Sequence, residues 1–221
     1  ISNSEFTQKS YERGFLGGAV TVNTQRIEEG KELGSFYGPV WLGVSEDGVD
    51  IFKNQNPLGI VDKSDWEKIG NANPDAIIGW SNSMSYKNWD LSFAMRAGIG
   101  GDVLNAYRLY YESWNIIGLK NVVHTQYENP NFQGNIAYSS KYIEDASFLK
   151  LDNITLSHNF KIKSDLISSL SLFGSAQNVF TITKYQGIDP EVNLGGIEPG
   201  IDALSYYPRT TSISFGLNVK F

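Results

Sequence analysis

The sequence predicts an all-β fold, an antiparallel transmembrane β-barrel, on three observations. Segments of about ten residues alternate apolar and polar side chains, as barrel strands do. The connections between these segments are alternately short and long. Aromatic residues are plentiful, with 12 tyrosines, 12 phenylalanines and 5 tryptophans among 221 residues. No stretch approaches the ~20 apolar residues of a spanning helix. A barrel strand hides its hydrophobicity in alternation, so its average looks like that of a soluble chain.

The segments follow in order. "FLGGAVTVNTQRI" (15–27) is glycine-rich and alternates weakly. "LGSFYGPVWLGVS" (33–45) is aromatic-rich and is interrupted by Pro39. Residues 75–87 place Ile78, Trp80, Met84 and Tyr86 on one face, and Gly79, Ser81, Ser83, Ser85 and Lys87 on the other. After Lys87-Asn88 the pattern restarts as "WDLSFAMRAGI", with Trp89, Leu91, Phe93, Met95, Ala97 and Ile99 opposite Asp90, Ser92, Ala94, Arg96 and Gly98. These two segments read as a tight antiparallel hairpin. Tyr86 and Trp89 flank its turn. They fit an aromatic girdle at a membrane interface and equally a cross-strand pair in a soluble hairpin.

"SFLKLDNITLSHNFKI" (147–162) switches parity. Leu149 and Leu151 are odd, whereas Ile154, Leu156 and Phe160 are even. A bulge near Asp152 accounts for the switch. "SSLSLFGSAQNVFTI" (168–182) and "TTSISFGLNVKF" (210–221) complete about seven strands. The connections run short at 28–32, long to about 74, short at 87–88, long to about 146, short near "KSDLI", then long over 183–208. Tight periplasmic turns opposite long extracellular loops are a barrel's signature, whereas a soluble sandwich has no reason for that regularity. With the last strand ending in the periplasm, the first readable strand enters from outside. An odd count leaves the sheet unclosed, so part of a larger barrel is expected; an eighth strand within "ISNSEFTQKSYE" (1–12), which has little apolar alternation, would weaken that argument.

Other classes are disfavoured. The net charge of −6 speaks against a nucleic-acid partner, which needs a basic face. The absence of cysteine removes disulfides, thiolate metal sites and a cysteine nucleophile. His124 and His158 lack a nucleophile and carboxylate arrangement, so no enzyme activity is expected. "GIGG" (98–101) and "GGIEPG" (195–200) lack the Lys-Ser/Thr partner of a phosphate loop.

Several segments occur together and in order: "LGSFYGPVWLG", "IGNANPDAIIGWSNSMSYKNWDLSFAMRAGIGGDVLN", "YIEDASFLKLDNITLSHNF", "GSAQNVFTITKYQGIDPEV" and "YYPRTTSISFGLNVKF". Over most of residues 30–221 the chain resembles the C-terminal part of SusC-like TonB-dependent transporters (the SusC/RagA family). The resemblance implies a 22-stranded barrel with a plugged lumen, in the outer membrane of a Gram-negative (diderm) bacterium. Residues 1–221 would be the C-terminal part, with long extracellular loops near 46–74, 102–146 and 183–208; the plug domain and TonB box are not in this sequence. The implied function is nutrient import, of oligosaccharides for many members and peptides for some. A SusD-like surface lipoprotein would act as lid. TonB-ExbB-ExbD would supply energy through the N-terminal region, the BAM machinery would assemble the barrel, and outer-membrane lipid would surround it. The rivals are a SusC-like barrel used for docking or assembly in another complex, an outer-membrane enzyme, and a soluble carbohydrate-binding sandwich.

Four sets of residues are candidate sites. "NQNPLGIVDKSD" (54–65) aligns with an EF-hand-type loop through Asn54, Asn56, Asp62 and Asp65. Its first ligand is an amide, its fifth position is Leu58 and its last is a short Asp, so no cofactor is expected beyond weak Ca²⁺ binding. Tyr107, Tyr110, Tyr111 and Trp114, with Tyr206 and Tyr207, could meet a sugar, a peptide or the lid; packing loops together is the plainer role. Arg96 would point into the lumen, to tune selectivity or to bridge to a carboxylate. Ser214, Gly216, Leu217, Val219 and Phe221 match the polar-x-Gly-apolar-x-apolar-x-aromatic β-signal at the end of outer-membrane barrels. The assembly machinery would take that strand by edge addition, and it would then pair with the first strand of the barrel.

Overall fold

The computed structural model describes residues 6–15, 18–54, 61–112, 117–128, 137–163, 166–192, 196–202 and 207–221, with backbone alone for 6–15, 18–23 and 125. The fold class is as expected. Strands, antiparallel except for one short pair, are the main regular structure, with one short α-helix, α1 (Ala106–Tyr111); among the described residues no helix is long and apolar enough to cross a membrane.

The strands are β1 (Phe6–Phe15), β2 (Gly18–Ile27), β3 (Ser35–Gly38), β4 (Trp41–Val44), β5 (Asp50–Phe52), β6 (Glu67–Asn71), β7 (Ala76–Tyr86), β8 (Trp89–Ile99) and β9 (Asp102–Asn105). After α1 come β10 (Ile143–Asp145), β11 (Phe148–Phe160), β12 (Ser169–Thr183), β13 (Ile201–Asp202) and β14 (Ser212–Lys220). They fall into two compact units.

One unit, 75–99, 147–184 and 208–221, is a five-stranded sheet in the order β14-β12-β11-β8-β7. All its pairs are antiparallel. Its register puts every apolar stripe on one face. Tyr86 lies opposite Trp89, His158 opposite Trp89 and Leu172, and Leu172 opposite Leu217. One step along, Met84, Leu91, Leu156, Gly174 and Phe215 form the next row, and Asn82, Phe93, Ile154, Ala176 and Ile213 the one after. The other face carries a row of hydroxyls, Ser83, Ser92, Thr155, Ser175 and Ser214.

The bulge expected near Asp152 is present, and it is wider than the sequence suggests. Leu151 pairs Met95 and Asn153 pairs Ala94, which leaves Asp152 as an extra residue against β8. Across β12 the same pairs fall on Phe180 and Gln177, so two residues there face one. Asn178 turns this corner at φ 50°, a left-handed conformation that Asn tolerates better than most residues.

The 87–88 turn is as tight as expected. Lys87 occupies φ 56° there without glycine's freedom. The β12–β14 pair holds a reciprocal contact. Both strands read Phe-Gly, and Phe173 lies across from Gly216 while Gly174 lies across from Phe215. A Cβ on Gly216 would overlap the Phe173 ring, and one on Gly174 would sit 3.2 Å from the Phe215 ring. Each ring covers the gap the opposite glycine leaves.

The other unit comprises 1–74, 100–146 and 185–207. β1 and β2 form a hairpin here, followed in the sheet by β3 and β6. The strand expected over 15–27 is therefore β2, and β1 is an additional strand that the weak alternation of 1–12 did not announce. The strand expected over 33–45 is two, β3 and β4, in different sheets. Pro39 separates them because it has no N–H for a ladder; its carbonyl accepts from Ser140 N at 3.1 Å. The short connection read at 28–32 joins β2 to the antiparallel β3 and spans 28–34.

β9 is the centre of this unit. It pairs β10 antiparallel and β13 parallel. Strand alternation sends its neighbours to opposite sides. Leu104 joins Phe36, Ala72, Ala106, Leu109, Tyr138, Tyr142 and Ile201 in one core, and Val103 joins Ala146, Tyr185 and Val192 in another. Full burial of a Phe or Leu side chain contributes about 1.5–3 kcal/mol, so connections that would fray singly are held together.

The glycines of the two motifs have their use here. Gly34 (φ 80°), Gly101 (φ 81°) and Gly200 (φ 75°), from three separate connections, converge on Ala72. A Cβ on Gly200 would lie 2.5 Å from the Ala72 methyl and 2.9 Å from the Asp102 carbonyl, and one on Gly101 3.2 Å from the Ala72 carbonyl.

Candidate functional site

The five-stranded sheet has two chemically distinct faces. On the apolar face Trp80 meets Phe93 edge-on at 5.0 Å, and toward the 87–88 turn Trp89, His158 and Phe160 stand edge-on in succession at 4.5 Å. Large apolar side chains on it are exposed, Phe215 by 82% and Ile213 by 67%. A sheet that leaves such a face uncovered needs an apolar solvent or a partner.

On the polar face Arg96 grips the bulge residue Asp152 with both arms: Nε donates to Oδ2 at 2.6 Å and Nη2 to Oδ1 at 2.9 Å. Arg96 is on the polar face, as expected, and it bridges to a carboxylate of the adjacent strand. Asp90 accepts from Ser85 Oγ at 2.5 Å and Asn159 Nδ2 at 2.7 Å.

In the other unit α1 carries three of the candidate aromatics. Asn105 caps it, its Oδ1 accepting from Arg108 N at 3.1 Å. Tyr107 and Tyr111 stack one turn apart at 6.3 Å, and Tyr110 meets Tyr111 edge-on at 4.8 Å. Lys120 Nζ donates to the Tyr110 hydroxyl at 2.6 Å and lies over its ring. Tyr110 also packs on the core through its inner side. All three tyrosines are half-buried. Tyr207 is exposed, and Trp114 and Tyr206 lie outside the described residues.

Behind α1 is a chain of alternating buried charges that sequence reading missed. Arg108 binds Glu112 through Nε at 3.1 Å and Glu144 through Nη1 at 2.8 Å. Lys141 Nζ stands 3.9 Å from Asp50 and 4.0 Å from Glu112. Burial pulls on the Arg108 guanidinium, but Glu112 and Glu144 outweigh it and raise its pKa. Burial lowers the Lys141 ammonium, against the attraction of Glu112 and Asp50, and raises the Asp50 carboxyl. These groups come from segments around 50, 108–112 and 141–144, far apart in sequence. Only the i, i+4 spacing of Arg108 and Glu112 is a sequence signal for any of it.

The calcium-loop residues are only partly described. Asp62 and Asp65 form a reciprocal cap on the 3-10 turn Lys63–Asp65: Asp62 Oδ1 accepts from Ser64 N at 2.7 Å, and Asp65 Oδ2 accepts from Asp62 N at 2.9 Å. Asp65 is buried and Asn54 exposed, while Asn56 lies outside the described residues. Among the described residues no three His, Cys, Asp or Glu side chains gather as a metal site. His124 opens a 3-10 turn and His158 sits in the aromatic succession on the apolar face.

Comparison with known proteins bears on what such a sheet belongs to. No family model matches the chain. The TonB-dependent receptor SusC of Bacteroides thetaiotaomicron is 32% identical over 184 residues, 78% of this chain and 18% of its own length. TonB-dependent receptors P39 and P3 of Formosa agariphila are 32% and 29% identical, over 91% and 90% of the chain. The chain belongs to the SusC-like TonB-dependent receptors. It spans about a fifth of the length of these relatives, 18–23%. A solved structure of the RagAB peptide transporter superposes with TM-score 0.70 at 20% identity, over 90% of this chain and 24% of that one. RagAB in its "open-open" state gives 0.66 at 18% identity, over 96% of the chain.

The two faces then have their places. In a SusC-like barrel the apolar face meets lipid and the polar face the lumen. Tyr86 and Trp89 stand across from one another on the apolar face beside the turn, an arrangement that both readings of the pair share. The segment of the β-signal is β14: Ser214 and Gly216 fall on the polar face, and Leu217 and Val219 on the apolar face. Phe221 follows the strand and is exposed.

Proposed function

We propose that this chain is wall and loop structure of an outer-membrane importer that works through TonB and a SusD-like lid. The sequence likeness to SusC carries the reading. In this mechanism the chain performs no covalent chemistry. The apolar face anchors the wall in lipid, and the serine-rich face borders an aqueous passage. The Arg96–Asp152 bridge holds the bulged strand against the polar space. The folded connections present Tyr107 and Tyr111 to cargo or lid, with α1 held from behind by the Arg108–Glu112–Glu144 bridge. Stacking on flat sugar or peptide surfaces suits such rings.

The decisive experiment uses the complete protein with its lipoprotein partner. Uptake of labelled oligosaccharides and peptides is followed in outer-membrane-intact cells, with and without tonB and with a protonophore. Import of one cargo class that needs both TonB and the proton gradient is expected. Unaltered cargo uptake on deletion of the gene, together with loss of another outer-membrane complex, would favour the docking or assembly role instead.

A further inference from the structure

On the apolar face of the five-stranded sheet, near its 87–88 end, a gap remains between Leu156 and the Phe215 ring that leans over Gly174. The gap is a groove walled by Trp89, His158, Phe160, Leu172 and Phe215. Its lining is almost wholly apolar, which suits a hydrocarbon chain. His158 Nδ1 is shielded at this groove and has no hydrogen-bond partner among the described residues.

The same end of the sheet is basic. Lys87 is in the turn, with its ammonium 5.1 Å from the centre of the apolar-face Tyr86 ring, and Lys161 and Lys163 follow β11; all three are exposed. The described carboxylate nearest in the strands is Asp90, and both its oxygens already accept hydrogen bonds. Asp165 lies outside the described residues. Lysines here can lay their methylene stems along the apolar rim and keep the ammonium at headgroup level.

We propose that the Gly174 groove and its lysine rim bind one anionic phospholipid from the leaflet that meets the short turns. An acyl chain occupies the groove, and the phosphate sits among Lys87, Lys161 and Lys163. His158 Nδ1 is at the right depth to hydrogen-bond the glycerol ester region. A zwitterionic headgroup fits less well, because its own cation adds to three already present. This site rests on the reading of the sheet as membrane wall.

The test uses the complete protein in phosphatidylcholine vesicles and the fluorescence of Trp89, read as wild type minus Trp89→Phe. Phosphatidylglycerol or phosphatidylcholine with brominated acyl chains is titrated in as quencher. Brominated phosphatidylglycerol is expected to reach half-quenching at about fivefold lower mole fraction, or less, since each lysine near an anionic lipid is worth about that factor. Lys87→Gln with Lys161→Gln and Lys163→Gln should abolish the preference, and Gly174→Leu should weaken quenching by both lipids. Equal half-quenching by the two lipids in the wild type, or a preference that survives the triple lysine change, would overturn the site. Absence of quenching of every tryptophan by either lipid would overturn the membrane reading itself.

Discussion

Gly196 and Gly200 offer a controlled measurement of the cost of the glycine junction. Both are left-handed, at φ 80° and 75°. They differ in their surroundings: a Cβ on Gly196 meets nothing within 4 Å, and one on Gly200 meets the Ala72 methyl at 2.5 Å and the Asp102 carbonyl at 2.9 Å. Alanine in the left-handed region costs about 1–2 kcal/mol at either position. Overpacking against a backbone carbonyl adds about 1–3 kcal/mol at Gly200 alone. Gly200→Ala should therefore exceed Gly196→Ala by about 1–3 kcal/mol. The backbone bond from Leu104 N to Gly200 O, 2.8 Å, lies at this junction. Amide exchange of Leu104 in the complete protein thus reports its opening. Protection should fall about tenfold or more further in Gly200→Ala than in Gly196→Ala, and Ala72→Gly should recover part of the loss. Equal effects of the two substitutions would show that backbone strain alone matters and that the convergence on Ala72 carries no energy.

Other expectations follow from the same kind of accounting. Gly216→Ala should destabilise the β12–β14 pair by about 1–3 kcal/mol and lower the urea midpoint of the barrel in vesicles, whereas Gly174→Ala should be near neutral; equal midpoints for both would contradict the covering role of Phe173. Lys87→Gly should stabilise the hairpin by about 0.5–1 kcal/mol and so raise that midpoint, by releasing a non-glycine residue from φ 56°. Lys141→Met leaves Asp50 and Glu112 buried beside an apolar chain and should cost about 3 kcal/mol, read as faster proteolysis of the loop unit. Burial raises the phenols of Tyr138 and Tyr185, the latter further through Asp202. Groups raised in the folded state stabilise it fully below the unfolded pKa near 10 and progressively lose that contribution above it. The loop unit should thus lose about 1.4 kcal/mol per phenol for each pH unit above 10, and Tyr185→Phe should flatten the slope followed by phenolate absorbance.

Much of the wall was legible because its signal is long and periodic. β7, β8 and β14 repeat with period two over nine or more residues, β11 does so on either side of its bulge, and one face must be apolar throughout. The bulge shows what that signal can and cannot carry. One extra residue in β11 reverses the parity of every later side chain, so Leu151 and Ile154 betray it. In β12 two residues, Asn178 and Val179, fill the same place. Two residues restore parity, and the sequence there is silent. The loop unit was illegible for a different reason. β9, β10 and β13 span two to four residues, too few for a period, and their cohesion comes from contacts between segments as distant as Gln25 and Pro199, joined at 2.7 Å. The buried Asp50–Lys141–Glu112–Arg108–Glu144 chain is of the same kind, since its members read individually as surface charges. Of the candidate residues, Arg96 could be placed from strand parity alone, whereas the capping role of Asp62 and Asp65 needed the geometry of the turn.

The paired Phe-Gly words on β12 and β14 have a consequence for how the last strand finds its place. Alternation works as a parity code. It detects any slip by an odd number of residues, which would turn Ile213, Phe215, Leu217 and Val219 to the wrong face. It is blind to a slip by two, which replaces one apolar residue with the next. The Phe-Gly words act as a check digit for that error. Shifted by two, Phe215 would land on Leu172 or Ala176, Phe173 on Ser214 or Asn218, and the vacancy at Gly174 would face Ile213 or Leu217. Both rings would lose their sockets together. Two copies of one dipeptide are thus enough to distinguish the true register from its nearest plausible forgery.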